Sequence, residues 1–336
     1  WRRAWRAAAD TPPLWWTQRA GLPEYRSVIA EHLLRHRGFD AAEESVLATG
    51  GTTAAVVEFA AAALRPGELV AVEEPGYQRA VQAFRHAGMR VVPVPVDAEG
   101  LRCDDIPAGV SAVYCSPAHQ YPMGCRMSAS RRVELVERAR EDGFLVVEDD
   151  YDGELRYDVA PLPLLASLAP DVVVHLGTTS KILTPTLGAG WMVAPAAVTS
   201  VVLDYRDATG TRASPAGQRV LVELARHGDL GRHLRKLRRE LSERRSMLVE
   251  TLSRAGVPYV GDDAGAHLVV PLASGEDERR RREWGRARGL LLDGLGRHFA
   301  GTPTAAGIAV GYAGCSREAL REVLGVLVEV LRPTRG

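Results

Sequence analysis

Lysine is nearly absent from this sequence. The chain has 42 lysines and arginines together, and only Lys181 and Lys236 are lysines. An Arg-rich, Ala-rich composition alone is typical of a GC-rich genome, so this rarity does not by itself indicate chemistry. Lysine differs from arginine, however, because only its amine can lose a proton near neutral pH and form an imine. The two lysines are therefore the first candidates for a reactive residue.

Net charge, paired cysteines and long apolar runs are lacking as well. The 42 acidic residues balance the 42 basic ones, which gives no support to nucleic-acid binding through this chain. No apolar run approaches the length of a membrane span, and no signal peptide is present. The first residue is Trp1 rather than Met, as expected of a fragment or a trimmed chain.

The cysteines also argue against two classes of site. They show no C-x-x-C spacing, so neither a zinc site nor a disulfide framework is expected. We interpret them as reduced thiols and expect a cytoplasmic protein with no metal site and no membrane partner. The four are Cys103, Cys115, Cys125 and Cys315.

The apolar pattern divides the chain into three predicted parts. Residues 1–45 form an N-terminal arm and a helix over 23–37; the first 20 residues hold four of the six tryptophans, so we expect the arm to pack on another domain or subunit. Residues 46–205 alternate strands and helices, which is typical of a parallel sheet with functional groups at its strand ends. Residues 206–336 form long helices and a smaller α+β domain.

Individual elements follow from the same pattern. Gly177 is predicted to end the strand over 172–176, and a loop punctuated by Pro and Gly is predicted after Lys181. The other predicted strands cover 46–49, 69–73, 90–96, 112–115, 144–148, 267–272 and 307–312. The other predicted helices cover 52–64, 78–87, 128–141, 276–289 and 316–331, and one or two long helices are predicted over 216–254.

The run from Val172 to Trp191 holds the strongest chemical signal. Thr178, Thr179 and Ser180 offer three hydroxyls directly before Lys181. A lysine at the mouth of a sheet, preceded by hydroxyls that can hold a phosphate, suits a Schiff-base lysine for an aldehyde cofactor. A surface lysine after a strand is the alternative, and this motif alone does not decide between them.

Two other strand ends carry matching groups. Gly51, Thr52 and Thr53 open a helix, where free N–H groups can bind a phosphate; a simple helix cap has the same geometry. Asp149 follows a buried strand, where a carboxylate needs a cation such as a protonated pyridine nitrogen. Tyr151 is placed to reach a hydroxyl group on the pyridine ring of such a cofactor. The ring of Tyr77 is placed to lie flat against the cofactor ring.

These motifs resemble a known family. The order G-G-T, E-P-G-Y, S-P-A-H-Q-Y-P-M-G, E-D-D-Y-D-G-E-L-R-Y and G-T-T-S-K is similar to fold type I pyridoxal-phosphate enzymes, and more narrowly to the aminotransferase-like domain of MocR-type regulators of the GntR superfamily. The resemblance implies an α/β fold with a large domain built on a mostly parallel seven-stranded sheet and a smaller α+β C-terminal domain. It also implies a homodimer with active sites at the subunit interface.

The resemblance also implies roles for single residues. Lys181 is the Schiff-base lysine, Asp149 faces the pyridine nitrogen, and Tyr151 faces the ring oxygen; these three are the predicted catalytic residues. Tyr77 is the ring that stacks on the cofactor. The remaining expected cofactor-binding residues lie near the phosphate or the ring oxygen: Gly51, Thr52, Thr53, Thr178 and Ser180, with His119 and Gln120 near the ring oxygen.

Three departures from the family pattern concern anion binding. Gly188 stands where an arginine usually binds the phosphate, and Ala309 stands where an arginine usually binds the substrate α-carboxylate. The usual Y-G-D-P is Trp16-Thr17-Gln18-Arg19, in which Arg19 could return a charge to the phosphate. Alanine cannot replace a bidentate arginine, so ordinary α-amino-acid transamination is in doubt.

Three hypotheses remain from the sequence. The leading one is a pyridoxal-phosphate-dependent aminotransferase that acts on an amine or amino acid. The second is the effector-sensing domain of a MocR-type regulator whose DNA-binding domain is not part of this chain. The third is a degenerate scaffold that no longer binds the cofactor, which would leave the protein colourless. His175 lies in an apolar run, and we interpret it as a core histidine.

Overall fold

The central element of the fold is a sheet of eight strands. The computed structural model describes residues 1–12, 15, 18–157 and 163–332. In chain order the strands of the central sheet are β1 (Val46–Thr49), β2 (Leu69–Glu74), β3 (Arg90–Asp97), β4 (Gly100–Leu101), β5 (Val110–Cys115), β6 (Leu145–Asp150), β7 (Val173–Thr178) and β8 (Gly190–Val193). Their order in space is β1-β8-β7-β6-β5-β2-β3-β4.

The sheet is mostly parallel, as predicted. Strands β2, β3, β5, β6 and β7 pair in parallel, whereas β8 is antiparallel to both of its neighbours. The count exceeds the expected seven because the two-residue β4 folds back on β3 through a turn that Gly100 permits with φ +92°. Sequence patterns rarely reveal so short an edge strand.

Helices cover both faces of the sheet. They are α1 (Arg2–Asp10), α2 (Pro23–Arg37), α3 (Thr52–Ala63), α4 (Gln78–His86), α5 (Ala129–Asp142), α6 (Leu165–Leu168), α7 (Ala196–Thr209), α8 (Pro215–Arg226), α9 (Asp229–Arg254), α10 (Gly275–Arg286) and α11 (Arg317–Leu331). Because both faces are covered, the parallel strands read as continuous apolar runs rather than alternating ones. Within the described residues, no helix combines the length and apolarity needed to cross a membrane.

A second, smaller sheet follows the long helix α9. Its strands are β9 (His267–Leu272), β10 (Asp293–Gly294) and β11 (Ala306–Gly311), in the antiparallel order β10-β11-β9. Helices α10 and α11 follow β9 and β11 in the chain. This arrangement agrees with the expected α+β part, while the domain boundaries at residues 45 and 205 stay a prediction.

The structure corrects the predicted course of the chain around the lysine. Strand β7 does not end at Gly177 but continues to Thr178, and β8 lies within the segment predicted as a loop. The reason is a cross-strand pair: Gly177 lies opposite Trp191, and a Cβ at Gly177 would lie 2.1 Å from the indole. Here glycine makes room for a large neighbour within a strand rather than ending it.

The N-terminal arm packs within the same chain. Ala4 and Ala8 of α1 are buried, and α1 packs on α8. Trp1, Trp5 and Trp15 stay exposed at 50%, 39% and 94%, so the indoles are not what holds the arm. Packing of the arm on another subunit stays a prediction, and Trp16 lies outside the described residues.

Candidate functional site

A cavity of about 750 Å³ opens at the carboxyl ends of the parallel strands. Every predicted site residue except His119 and Gln120 lines it. The structure therefore brings together residues that are far apart in the sequence, as expected for strand ends in an α/β fold. The predicted residues on its wall are Gly51, Thr52, Thr53, Tyr77, Asp149, Tyr151, Thr178, Ser180 and Lys181.

One side of the cavity offers neutral hydrogen-bond donors. Helix α3 begins at Thr52, and its cap residue Gly51, at φ +122°, has no side chain that could accept the first N–H groups. The helix start therefore opens onto the cavity with free N–H groups and a positive dipole end, which favours an anion. On the same wall, the hydroxyl of Thr178 donates a hydrogen bond to the hydroxyl of Ser180 at 3.0 Å.

Two of the predicted hydroxyls are already engaged. Thr179 donates its hydroxyl proton to the carbonyl of Ala189 at 2.8 Å, so it is turned away from the cavity. Thr53 lies 3.1 Å from the Tyr77 hydroxyl, a contact that holds the Tyr77 ring at the cavity wall. Of the three hydroxyls before Lys181, only Thr178 and Ser180 therefore line the cavity.

Lys181 follows β7 directly and lies on the cavity wall. It is exposed and makes no ion pair with any residue that the structure describes. A lysine amine held beside a cavity without a carboxylate partner is free to react with a ligand. Lys236, the other lysine, is exposed on α9 and does not line this cavity.

The acidic run after β6 is buried, and most of its members have partners. Glu148 accepts hydrogen bonds from the backbone N–H groups of Leu165 and Ala166 at 2.8 and 3.1 Å. Three other carboxylates each face a basic side chain: Asp150 faces Arg37 at 2.9 Å, Asp152 faces His119 at 2.8 Å, and Glu154 faces His32 at 2.8 Å.

Asp149 is the exception in this run. Its Oδ2 accepts a short hydrogen bond from the hydroxyl of Tyr114, and its Oδ1 has no hydrogen-bond partner among the described residues. Burial raises the pKa of Asp149 to about 7, and the hydrogen bond from Tyr114 offsets this rise only in part. A buried carboxylate with one oxygen unsatisfied on a cavity wall suits a ligand that brings a positive charge or an N–H group.

The structure separates His119 and Gln120 from the cavity. His119 lies behind Tyr151, with its Nδ1 3.2 Å from the Tyr151 hydroxyl. Gln120 is buried and donates to the carbonyl of Pro75 at 2.8 Å. Ser116 and Tyr121, which flank them in the chain, line the cavity instead. The prediction that His119 and Gln120 line the site is therefore wrong for the described cavity, because the direction of the side chains in this loop was not readable from the motif.

Three basic residues on the wall were missed by sequence reasoning. Arg79 follows Tyr77 by two residues, and Arg297 and His298 come from the segment after β10. Arg297 is paired with Asp293 at 2.7 Å, whereas Arg79 makes no ion pair with a described residue. No motif distinguishes these arginines from the others in an Arg-rich chain, so the sequence carried no usable signal for them.

The departures from the family pattern have clear structural positions. Gly188 adopts φ +58° after a short turn, and a side chain there would meet open space. Ala309 is buried on β11 opposite Asp293. Arg19 pairs with Asp207 at 2.6 Å and does not line the cavity, and Trp16 and Thr17 lie outside the described residues.

The part of the chain that the structure describes contains no group of three or more His, Cys, Asp or Glu side chains that could hold a metal ion. The cavity instead combines a free lysine, an unsatisfied carboxylate and an open helix start. These features fit a phosphorylated aldehyde with a basic ring nitrogen, because each of its polar groups finds a complementary group on the wall.

Matches to known proteins cover most of the chain. A family model described as aminotransferase class I and II matches residues 6–325. The HTH-type pyridoxine biosynthesis transcriptional regulator PdxR of Corynebacterium glutamicum is 32% identical over 332 residues, which cover 98% of this chain and 72% of that protein. The probable rhizopine catabolism regulatory protein MocR of Rhizobium meliloti is 30% identical over 312 residues, which cover 91% of this chain and 63% of that protein.

A solved structure shows the same fold over nearly the whole chain. Kynurenine aminotransferase of Pyrococcus horikoshii, in complex with PMP, superposes with a TM-score of 0.88 at 26% identity, covering 98% of this chain and 87% of that one. The chain thus matches both regulators and an enzyme, and it spans under two thirds of the length of the MocR protein.

Proposed function

The chain belongs to the class I and II aminotransferase family, and from this premise we propose that it binds pyridoxal phosphate in the cavity, with Lys181 as the Schiff-base lysine, and reacts with an amine or amino acid. The resemblance to aminotransferase-like domains of MocR-type regulators and the fold type I class are confirmed by the family match and by the structural likeness. The cofactor, the residue roles and the reaction are the proposal.

The observation that carries this proposal is the surroundings of Asp149. Its carboxylate is buried, lacks a cation and keeps one oxygen unsatisfied on the same wall as Lys181. A structural role would require a partner, as the other buried carboxylates of this run have. A protonated pyridine nitrogen supplies both the charge and the N–H group that Asp149 lacks.

The residues of the cavity wall have different roles in the proposed reaction. Pyridoxal phosphate, when bound, supplies an aldehyde for an amine and a ring that withdraws electrons from the carbon bearing that amine. The amine of Lys181 would hold the aldehyde group and, in its free form, would take a proton from the substrate carbon and deliver it to the cofactor. Asp149 holds the proton of the ring nitrogen, and Tyr151 donates to the ring oxygen.

The opposite side of the wall holds the phosphate. The free N–H groups at the start of α3 and the hydroxyls of Thr178 and Ser180 point to the same region. These donors are neutral, so their own contribution to anion binding comes from hydrogen bonds and the helix dipole. The ring of Tyr77, held by Thr53, stacks on the cofactor ring.

The test uses the small number of lysines in the chain. We expect the purified protein to develop a yellow absorption band with pyridoxal phosphate, Lys181→Ala to lack it and Lys236→Ala to retain it. Borohydride reduction followed by peptide mass analysis then places the cofactor on the peptide with Lys181. A band of equal intensity in Lys181→Ala, or no band in the wild type, would contradict the proposal; the latter outcome is what a degenerate scaffold predicts.

A second candidate function is the effector-sensing domain of a MocR-type regulator. It is favoured by the two regulators that match 98% and 91% of this chain, and by Ala309 at the position where an arginine usually binds the substrate carboxylate. In a sensor, adding an amine changes the absorption band without releasing a keto product. Continuous release of a keto product with a keto acid as the second substrate would favour the enzyme.

We propose two partners for this chain, a small ligand and a second copy of the chain. A small amine or amino acid is the ligand, and a second copy of the chain completes a homodimer. We also propose that the protein works in the cytoplasm. Sedimentation or light scattering of the purified chain tests the dimer, and a monomer at micromolar concentration would contradict it.

A further inference from the structure

The side chain of Tyr151 is connected to two buried residues that do not line the cavity. Its hydroxyl lies 3.2 Å from Nδ1 of His119, and the same Nδ1 lies 2.8 Å from Oδ2 of Asp152. His119 and Asp152 are each only 2% exposed. The proposed function assigns a role to Tyr151 but leaves this buried pair unexplained.

The contact with Asp152 determines which nitrogen of His119 carries the proton. A carboxylate oxygen can only accept a hydrogen bond, so Nδ1 must donate. The other ring nitrogen, Nε2, is buried and has no hydrogen-bond partner among the described residues. A doubly protonated ring would bury an unpaired, charged N–H there, which is costlier than a bare lone pair. His119 is therefore neutral, with its proton on Nδ1.

This tautomer leaves one arrangement for the tyrosine hydroxyl. Because Nδ1 of His119 carries a proton, the oxygen of Tyr151 can only accept from it. Burial, reinforced by Asp152, raises the pKa of Tyr151 well above its usual value, so the hydroxyl keeps its own proton. That proton is not used by His119 and is free to point into the cavity.

We propose that His119 and Asp152 are positioning residues that hold the Tyr151 hydroxyl as a hydrogen-bond donor toward the cavity. The ligand group that it serves is an anionic or strongly accepting oxygen, which in the proposed function, on which this inference rests, is the ring oxygen of pyridoxal phosphate. His119 thus acts on the ring oxygen through Tyr151 rather than by contact.

The ring of His119 is closely packed on three sides. Gly265 lies so close that an added Cβ would be 2.2 Å from Cε1 of His119 and 2.8 Å from Oδ2 of Asp152. On the other edge, a Cβ at Gly124 would lie 3.3 Å from Nε2. The ring of His267 closes a third side at 4.9 Å, and burial lowers the pKa of His267 to about 3, so it adds no charge. The packing therefore holds the plane of the ring, and the hydrogen bond to Asp152 sets which edge carries Nδ1.

The first test measures the tautomer without any cofactor. Nitrogen-15 NMR of the histidine-labelled protein should show His119 protonated at Nδ1, with the resonance identified by its loss in His119→Asn. In Asp152→Asn the side-chain amide can either donate a hydrogen bond to Nδ1 of His119 or accept one from it. We therefore expect a mixture of the two tautomers. A proton on Nε2 in the wild type would overturn the proposal whether or not the protein binds pyridoxal phosphate.

The second test measures the hydrogen bond from Tyr151. Pyridoxal phosphate is compared with 3-deoxypyridoxal phosphate, which lacks the ring oxygen. We expect the wild type to prefer pyridoxal phosphate about tenfold, as one hydrogen bond to a charged oxygen allows. We expect both His119→Leu and Tyr151→Phe to lose this preference. His119→Asn, whose amide N–H lies near the position of Nδ1, should keep it within about twofold.

The outcomes separate this inference from the proposed function. A preference that His119→Leu leaves unchanged would overturn the positioning role while the cofactor itself is bound. If the wild type binds neither compound, the proposed function fails and the tautomer measurement decides the inference. The thermal unfolding midpoint of each variant shows whether it is folded, and His119→Asn serves as the matched variant if His119→Leu does not fold.

Discussion

Asp149 and Asp150 are adjacent on strand β6 and equally buried, at 3% and 4% exposure, yet their surroundings are opposite. Asp150 faces helix α2, where Arg37 contacts its two oxygens at 2.9 and 3.0 Å. Asp149 points to the other face of the sheet and onto the cavity, where only the Tyr114 hydroxyl meets it. Because successive side chains of a strand point to opposite faces, one residue separates a carboxylate paired within the fold from the one that we propose binds the cofactor.

Burial alone does not distinguish the two aspartates, whereas the presence or absence of a basic partner does. A carboxylate paired with arginine belongs to the fold, since its charge is already compensated. A carboxylate that is buried without a cation can meet a cationic ligand only where it also lines a cavity, as Asp149 does and the equally buried Glu73 does not. The cationic residues on the cavity wall repeat this contrast, because Arg297 is paired with Asp293 and Arg79 has no such partner among the described residues.

Breaking the structural pair should have the largest effect on stability. Asp150→Asn leaves the buried Arg37 guanidinium without its carboxylate, and we expect a loss of about 3–5 kcal/mol in the free energy of unfolding. Denaturant unfolding of the protein without cofactor measures this loss. A value under about 1 kcal/mol would mean that Arg37 finds another partner and that the contrast between the two aspartates is smaller than proposed.

The control is a variant that removes both charges of the pair. Arg37→Met combined with Asp150→Asn leaves no unpaired charge, and replacing a buried pair by neutral groups is often close to neutral. We therefore expect the double variant to be more stable than Asp150→Asn alone. The double-mutant cycle gives the coupling energy of the pair directly.

Much of the architecture was predictable from the sequence. The helix over 23–37 matches α2, because Pro23 and Gly38 mark its two ends. The strands β1, β6 and β9 were found within two residues, since each is a short apolar run bounded by polar or turn residues. The order of the motifs at the strand ends then brought the lysine, the aspartate and the helix start to one place.

The remaining features depend on contacts between distant segments. Nothing local indicates that Arg37 meets Asp150, because 113 positions separate them. Arg297 reaches the cavity only because the segment after β10 packs against it, and His119 points away because Asp152 and Gly265 surround it. Strand β8 was missed because its four residues follow a loop rich in Pro and Gly, and its pairing with β1 and β7 creates it.

Removing the carboxylate of Asp149 should weaken the binding of pyridoxal phosphate. Asp149→Asn keeps the shape of the wall but lacks the charge that a protonated ring nitrogen needs. A hydrogen bond to a charged group contributes about 1.5–3 kcal/mol, so we expect affinity for pyridoxal phosphate to fall roughly 10- to 100-fold. Titration followed by absorbance measures it. Unchanged affinity would contradict the role given to Asp149, whereas Asp150→Asn, if folded, should retain affinity.

The same variant should change how stability depends on pH. The pKa of Asp149 in the folded protein, about 7, lies above the value of about 3.9 in an unfolded chain. Its contribution to stability is therefore fully present below about pH 4 and is lost as the pH rises through about 7, by up to about 1.4 kcal/mol per pH unit. Asp149→Asn should lack this loss in the cofactor-free protein.

A control separates this effect from that of a second buried acid. Burial raises the pKa of Glu73 to about 8, so Glu73 contributes a loss of the same sign at slightly higher pH. Glu73→Gln should therefore keep the loss assigned to Asp149, and Asp149→Asn should keep the one assigned to Glu73. Identical slopes for the wild type and Asp149→Asn would show that a partner compensates for the Asp149 charge after all.

The smallest expected effect is on phosphate binding by Arg79 and Arg297. These two arginines show the same contrast between an unpaired and a paired charge as the two aspartates do. Arg79 has no ion-pair partner among the described residues, so its charge is available to an anionic ligand, whereas the charge of Arg297 is compensated by Asp293. The ratio of affinities for pyridoxal phosphate and pyridoxal isolates the contribution of the phosphate. We expect Arg79→Ala to lower this ratio about tenfold, or about 1.4 kcal/mol, and Arg297→Ala to change it by about twofold or less. The reverse order would mean that Asp293 orients Arg297 for the phosphate, and that a paired charge on this wall can still bind a ligand.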